Sequence, residues 1–282
     1  MKKSLLLIAV FVFAFAVHAQ VTTPEQSPFS KVEQKVGLTD VTIEYSRPGV
    51  KERKIFGDLE AYDAIWRTGA NKNTIITFSD PVTVGGYKLE PGSYSLFTKP
   101  GESMWEVYFY TDTDNWGAPE KWDDSKVAAI AKVKVEKTPF VVETFTIDIN
   151  NIQTGSATLE MMWENTYIAI PFTVPTDDLV LKSINEALNG TPKASDYYAA
   201  AVYYLNEGKD VKQSKEWIDK AMSMTDKPAF YQLRQQALIY AKAGDTQGAI
   251  KLAKESTIAA KAAGNMQYVR FNEASLKEWG AN

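Results

Sequence analysis

Arg47, Arg53 and Arg67 fall within one short stretch, residues 45–71 (YSRPGVKERKIFGDLEAYDAIWRTGAN), among Tyr45, Phe56, Tyr62 and Trp66, with Pro48, Gly49, Gly57 and Gly69 as punctuation. Guanidinium forks beside aromatic faces can hold a carboxylate or phosphate, or stack on a flat ligand. Arg47 precedes Pro48, which favours an extended backbone at that position. In Trp66-Arg67-Thr68-Gly69-Ala70-Asn71 the glycine permits an unusual turn that aims nearby N–H groups and Asn71 at one point. Arg67, Thr68 and Asn71 together suit an anion or the hydroxyls of a sugar. The alternative is a structural bracket, with Arg67 paired to Asp58, Glu60 or Asp63 and Asn71 satisfying the turn, because buried polar groups need partners with or without a ligand. The expected ligand-contacting set is Arg47, Arg53, Trp66, Arg67, Thr68, Asn71, Tyr94 and Trp116.

Composition excludes much other chemistry. The 282-residue chain has no cysteine, and its one histidine, His18, lies in a segment that reads as a removable export signal. Lys2 and Lys3 form its positive start, residues 5–17 its apolar core, and Val17-His18-Ala19 its cleavage positions. That apolar run is shorter than the ~20 residues that span a bilayer. Cleavage after Ala19 would leave neither imidazole nor thiol. Ser-His-Asp and Cys-His catalysis, zinc sites built on His or Cys, and iron–sulfur or haem ligation through those side chains then fall away. No glycine-rich phosphate loop follows a strand. No cofactor, no metal and no catalytic residue is expected.

The net charge of −4, more negative once Lys2 and Lys3 are removed, argues against a nucleic-acid partner. Beyond the signal no stretch is long and apolar enough to cross a membrane, so a periplasmic or secreted protein is expected. Without disulfides, each domain must hold together by core burial alone.

Carboxylates are the surviving catalytic option. Glu160 with Glu164, and Glu143 with Asp148, sit on expected strands, where they would suit a two-carboxyl glycan hydrolase or simply face solvent. Asp112-Thr113-Asp114-Asn115-Trp116-Gly117, with Asp123 further on, partly resembles a calcium loop. Trp116 stands there where a third oxygen ligand belongs, so an acidic hairpin tip is the preferred reading. Trp105 and Trp163 are expected in the core. Trp116 and Trp122 lie in a polar connection, where an aromatic pair stacks on a sugar ring or covers an edge of the sheet.

The elements that must position these residues alternate with period two over the first part of the chain. Val41, Ile43 and Tyr45 share one face, and residues 74–79 continue the pattern. A hairpin over 81–89 turns at Gly85-Gly86, and a second joins 93–99 to 104–110 with Trp105, Val107 and Phe109 inward. Further strands are expected over 126–137, 140–150, 157–164 and 167–174. After Pro175 the pattern changes abruptly to alanine-rich helical spacing behind the cap Thr176-Asp177-Asp178.

The fold class is therefore α+β: an antiparallel β-sandwich or barrel followed by a C-terminal α-helical repeat domain. The expected divisions are a signal over 1–19, a flexible leader over 20–31, the β domain over 32–175, a connector helix over 176–193 and the helical domain over 194–282. In the last of these, Ala201, Tyr204 and Gly208 correspond to Ala237, Tyr240 and Gly244, and Ser214, Trp217 and Ala221 to Ala249, Leu252 and Ser256. The spacing is close to the ~34 residues of tetratricopeptide repeats, which these helices resemble, with residues 266–279 as a capping helix.

The blocks Val36-Gly37-Leu38-Thr39, Tyr45-Ser46-Arg47-Pro48, Ile55-Phe56-Gly57, Trp66-Arg67-Thr68-Gly69-Ala70-Asn71 and Tyr94-Ser95-Leu96-Phe97, with Trp116-Gly117 beyond, resemble in order the exported bacterial family DUF2911 over about 27–174. That resemblance implies export and the domain boundary, and implies no reaction or substrate. The expected function is a non-catalytic binding module for a small polar or anionic ligand or an envelope glycan, with a helical domain that engages a protein or peptide. A carboxylate-dependent glycan hydrolase and a purely structural or assembly protein stay open as alternatives.

Overall fold

The computed structural model describes residues 23–281, and the segment read as an export signal lies outside them. The chain divides after Pro175 into two compact units. The first is built from ten strands in two antiparallel sheets. One sheet has six strands: β1 (Phe29–Val36), β2 (Thr39–Ser46), β3 (Ala70–Phe78), β6 (Gly92–Lys99), β7 (Met104–Tyr110) and β8 (Val127–Lys134), adjacent in that order. The other runs β5 (Tyr87–Leu89), β4 (Val82–Val84), β10 (Ser156–Thr173) and β9 (Glu136–Asn150). Both sheets keep free edges, so of the two expected architectures the sandwich is the one formed.

Inward residues of both sheets merge into one apolar cluster. Val41, Ile43 and Tyr45 from β2, Trp105, Val107 and Phe109 from β7, and Phe145, Ile147 and Ile149 from β9 are all buried in it, as period two requires. The outer face of β6 and β7 is covered as well. Phe97, Tyr108 and Tyr110 form a second small cluster under Trp122, whose ring centroid lies 4.8 Å from that of Tyr110.

Two strand boundaries differ from the sequence reading. The leader does not reach Lys31, because Phe29 already pairs with Ser46 at the start of β1. Ser30 and Gln34 share the inner face of this edge strand with Val32 and Val36, which blurs its alternation. Residues 157–164 and 167–174 form one strand, β10, rather than two. Glu164 adopts φ 53° and the register shifts on either side of it, so a bulge absorbs the polar residues that resemble a turn.

The second unit contains α1 (Thr176–Asn189), α2 (Ala194–Asn206), α3 (Val211–Ser223), α4 (Phe230–Lys242), α5 (Thr246–Ala262) and α6 (Met266–Glu278). Asp177 of α1 accepts hydrogen bonds from Tyr203 Oη at 2.8 Å and Lys209 Nζ at 2.9 Å, which fastens α1 beside α2. Ala201 and Ser214 are fully buried where α2 meets α3, and Ser214 Oγ donates to Ala201 O at 2.8 Å. Ala237, Ala249 and Ala253 play the same spacing role between α4 and α5. Asp210, Asp245 and Asn265 cap α3, α5 and α6 through their side-chain oxygens, satisfying N–H groups that the helix itself cannot.

Candidate functional site

The segment between β2 and β3, residues 47–69, is long for a connection inside a sheet. Aromatic burial holds it down. Trp66 exchanges backbone hydrogen bonds with Thr98 at 2.7 and 2.9 Å, and its indole stacks on Trp163 with centroids 5.7 Å apart and planes 16° apart. Phe56 packs edge-on against Trp66, Trp105 and Trp163. With its rings committed to the core, the segment is left to present its polar residues outward.

Those residues line a cleft of about 360 Å³. Its walls include Gln26, Ser27, Lys51, Arg53, Glu60, Arg67 and Trp163. Arg53 is aimed by two backbone carbonyls, donating from Nη2 to Gly49 O at 2.7 Å and from Nε to Val50 O at 3.0 Å. Arg67 donates from Nη1 to Asn71 O at 3.1 Å. Among the described residues neither arginine forms an ion pair with an acid, so the bracket pairing of Arg67 with Asp58, Glu60 or Asp63 does not form.

Trp163 is almost fully buried and its indole N–H has no partner among the described residues. An unpaired buried donor costs about 1–3 kcal/mol, so the indole, part of which helps to line the cleft, is held in place by its aromatic packing and not by its N–H.

The acid in this wall is Glu60. Its backbone is fixed, with the N–H donating to Ile55 O at 2.9 Å and the carbonyl accepting from Gly57 N at 2.8 Å. Burial pushes its carboxyl up to about 7, against the pull of Arg67 and Arg53, which favour the charged form. The site is therefore cationic with a carboxyl that changes charge near neutrality.

Between the ordinary value of 4.5 and about 7 the folded protein binds more protons than the unfolded chain. Glu60 therefore contributes stability that is full below the lower value, declines as pH rises through that window, and is gone above it. Partial solvent access leaves an expected loss of about 1–2 kcal/mol. Glu60→Gln should flatten that part of the curve, measured as the change in unfolding free energy between pH 5 and pH 8, on the order of the window above. An unchanged slope would remove Glu60 as its source.

Strain is concentrated here too. Lys51, Glu52, Asp63, Thr68 and Asn71 all have positive φ without being glycine. Thr68, at φ 58°, is the costliest kind of case because it is β-branched. It is fully buried, and its Oγ1 bonds to Trp66 O at 3.4 Å and Thr98 Oγ1 at 3.1 Å. Such conformations persist where surrounding structure enforces them, often at binding sites.

The expected contact set is only partly brought together. Arg53 and Arg67 line the cleft. Trp66 and Thr68 lie behind it as buried supports. Arg47 is placed elsewhere: Nε donates to Phe145 O at 3.0 Å and Nη2 to Thr146 Oγ1 at 2.7 Å, so it ties the end of β2 to β9. Tyr94 is buried in the sandwich core with its hydroxyl on Glu90 O at 2.7 Å.

Asn71 and Trp116 line a neighbouring depression, which shares Gln26 with the first cleft. The two connection tryptophans thus separate, since Trp122 covers a sheet face while Trp116 is 78% exposed.

Sequence reasoning did not assign contact roles to Glu60, Gln26 or Trp163. Glu60 had one signal, an acid near two arginines in the chain. Trp163 is indeed core, and nothing in its spacing reveals that one edge is left unpaired. Of the other candidate carboxylates, Glu164 sits on the β10 bulge with no side-chain hydrogen-bond partner among the described residues, and the rest are occupied. Glu160 accepts from Asn150 Nδ2, Asn151 Nδ2 and Thr158 Oγ1, and Glu143 Oε1 accepts from Lys51 N at 2.9 Å. Asp112 pairs with Lys126 Nζ at 3.0 Å, which lowers its pKa, and Asp123 caps the turn before β8.

A family model described as a protein of unknown function, DUF2911, matches residues 27–172. No curated protein and no solved structure matches the chain.

Proposed function

The chain belongs to the DUF2911 family, whose description carries no activity, and we propose that it is an exported binding module that holds a small polar or anionic ligand in the Arg53/Arg67 cleft. The observation that supports this is two guanidinium groups lining one cleft, neither of them paired with an acid among the described residues. Cationic groups held by neutral carbonyls and grouped in a concavity keep their charge uncompensated and suit an anionic ligand. Glu60 tunes the site: protonated, it adds a donor, and ionised, it opposes an anion. Affinity for an anion therefore rises as pH falls through about 7.

A hydrolase would need a second carboxyl opposite the first, and Glu60 is the one acid among the cleft's described lining residues. The helical unit, with paired helices spaced by small residues, is proposed as a tetratricopeptide-like module that engages a protein or peptide.

The test is a calorimetric titration of inorganic phosphate and of acetate into the purified protein. At least one is expected to bind saturably, more tightly at pH 6 than at pH 8. Arg53→Ala and Arg67→Ala should each weaken that binding about tenfold, the loss expected for a charge-assisted hydrogen bond of roughly 1.5 kcal/mol. Unchanged binding in both variants, with folding verified by circular dichroism, would reject the reading.

A further inference from the structure

We propose that the β unit binds an acidic saccharide, with the acidic group held between Arg53 and Arg67 and an adjoining sugar ring stacked on Trp116 in the neighbouring depression. This rests on the anion-binding reading of the cleft and narrows it to a ligand class.

The two hollows adjoin at Gln26. The second, of about 640 Å³, shares Gln26 with the first and is lined further by Glu25, Phe29, Ser46, Asn71, Lys72 and Trp116, so its charges, one acid and one lysine, offset each other. Each is of the size that takes a small molecule, and together they have room for a ligand of more than one ring. Their character differs. The first is walled by cations and donors, whereas the second offers Phe29 at 62% and Trp116 at 78% exposure beside amide and hydroxyl groups. A pyranose has one apolar C–H face and an edge of hydroxyls, so it fits an aromatic ring beside polar side chains. Asn71 Nδ2 is used by Ser27 O at 3.2 Å and Ser46 Oγ at 3.3 Å, which orients the amide and leaves Oδ1 to accept from a hydroxyl.

Trp116 is exposed on a loop that is itself held in place. Asn73 N donates to Asn115 O at 3.4 Å, Ser95 Oγ donates to Asp112 O at 2.7 Å, Asn115 Nδ2 also donates to Asp112 O, and Lys72 pairs with Asp114. An indole shown to solvent from a braced loop is prepared for stacking at little further ordering cost.

The same loop meets the first cleft. A Cβ added at Gly117 would lie 3.3 Å from Arg67 Nη1, so the residue after the tryptophan stands beside the guanidinium that would hold the acid. Ring and charge are thereby set side by side, which a neutral sugar or a bare anion would use only by half.

The experiment titrates digalacturonate, trehalose 6-phosphate and neutral trehalose into the full protein by calorimetry, with inorganic phosphate and acetate as ring-free controls. At least one acidic disaccharide should bind, trehalose at least tenfold more weakly, and the tighter of the two acids identifies the acidic group as carboxylate or phosphate. Trp116→Ala should weaken the acidic disaccharide at least fivefold, leave the ring-free anion within twofold, and be rescued by Trp116→Phe. Its exposure keeps the fold out of question.

If Trp116→Ala leaves the disaccharide unaffected, if trehalose binds equally well, or if neither acidic disaccharide binds while a ring-free anion still does, the saccharide inference is overturned and the anion cleft stands. If no anion of any kind binds, both readings fall together.

Discussion

Trp66→Ala is expected to lower the stability of the β unit by about 3–5 kcal/mol, the range for truncating a large aromatic in a packed core. Trp66 is 4% exposed and touches Phe56, Trp105, Phe145 and Trp163 with ring centroids 5.1–6.2 Å apart. Its removal leaves a hole lined by rings from both sheets and frees the Gly69 carbonyl that its indole N–H engages at 3.2 Å. The neighbouring rings are held by each other, so little collapse can offset the loss. The effect extends to the site, because Trp66 is the anchor that seats Arg67 one residue later. Near-ultraviolet circular dichroism during urea unfolding measures it. The exposed Trp116→Ala serves as the contrast, with an expected change within about 0.5 kcal/mol. Equal behaviour of the two variants would show that the segment over 47–69 is not anchored as described.

Gly69→Ala is expected to cost about 2–3 kcal/mol and to abolish anion binding. Gly69 has φ 143°, where a side chain is strained whatever the space around it. Space is also lacking: an added Cβ would lie 2.9 Å from Ser46 O and 3.2 Å from Thr74 Oγ1. Neither can yield easily, since Ser46 is the last residue of β2 and Thr74 Oγ1 donates to Thr68 O. The backbone would have to move, and with it Arg67 on one side and Asn71 on the other. Urea unfolding reads the stability change and phosphate titration the site. A Gly69→Ala protein as stable as the parent with unaltered anion affinity would show that this conformation positions nothing.

Both predictions turn on residues that the sequence marks, in different ways. A glycine between an arginine and an asparagine signals an unusual turn, and the structure forms one there with Thr68 and Asn71 at φ 58° and 57°. A tryptophan in a loop signals either a binding platform or an anchor, and spacing does not choose between them. Trp66 and Trp116 are chemically the same residue, yet one is sealed in the core and the other is bare. Arg47 and Arg67 show the same limit. Each stands in a polar, turn-rich context, but Arg47 finds Phe145 O and Thr146 Oγ1 on a strand distant in the chain, and Arg67 finds no acid among the described residues.

The sequence by itself determined most of the secondary elements, though not β1 or the continuity of β10, together with the change from strands to helices at Pro175 and the inward faces of β2, β7 and β9. Those depend on alternation, turn chemistry and capping, which are local and can be read from neighbouring residues. Its lack of cysteine and its single histidine likewise limited the available chemistry before any fold was known.

Only the tertiary structure decided which arginines face a cleft, that Glu60 stands beside them with a raised pKa, and that Trp163 keeps an unanswered N–H. Those properties are set by burial and by the charges that other strands bring near. Desolvation and through-space electrostatics depend on distances that the order of residues along a chain does not contain.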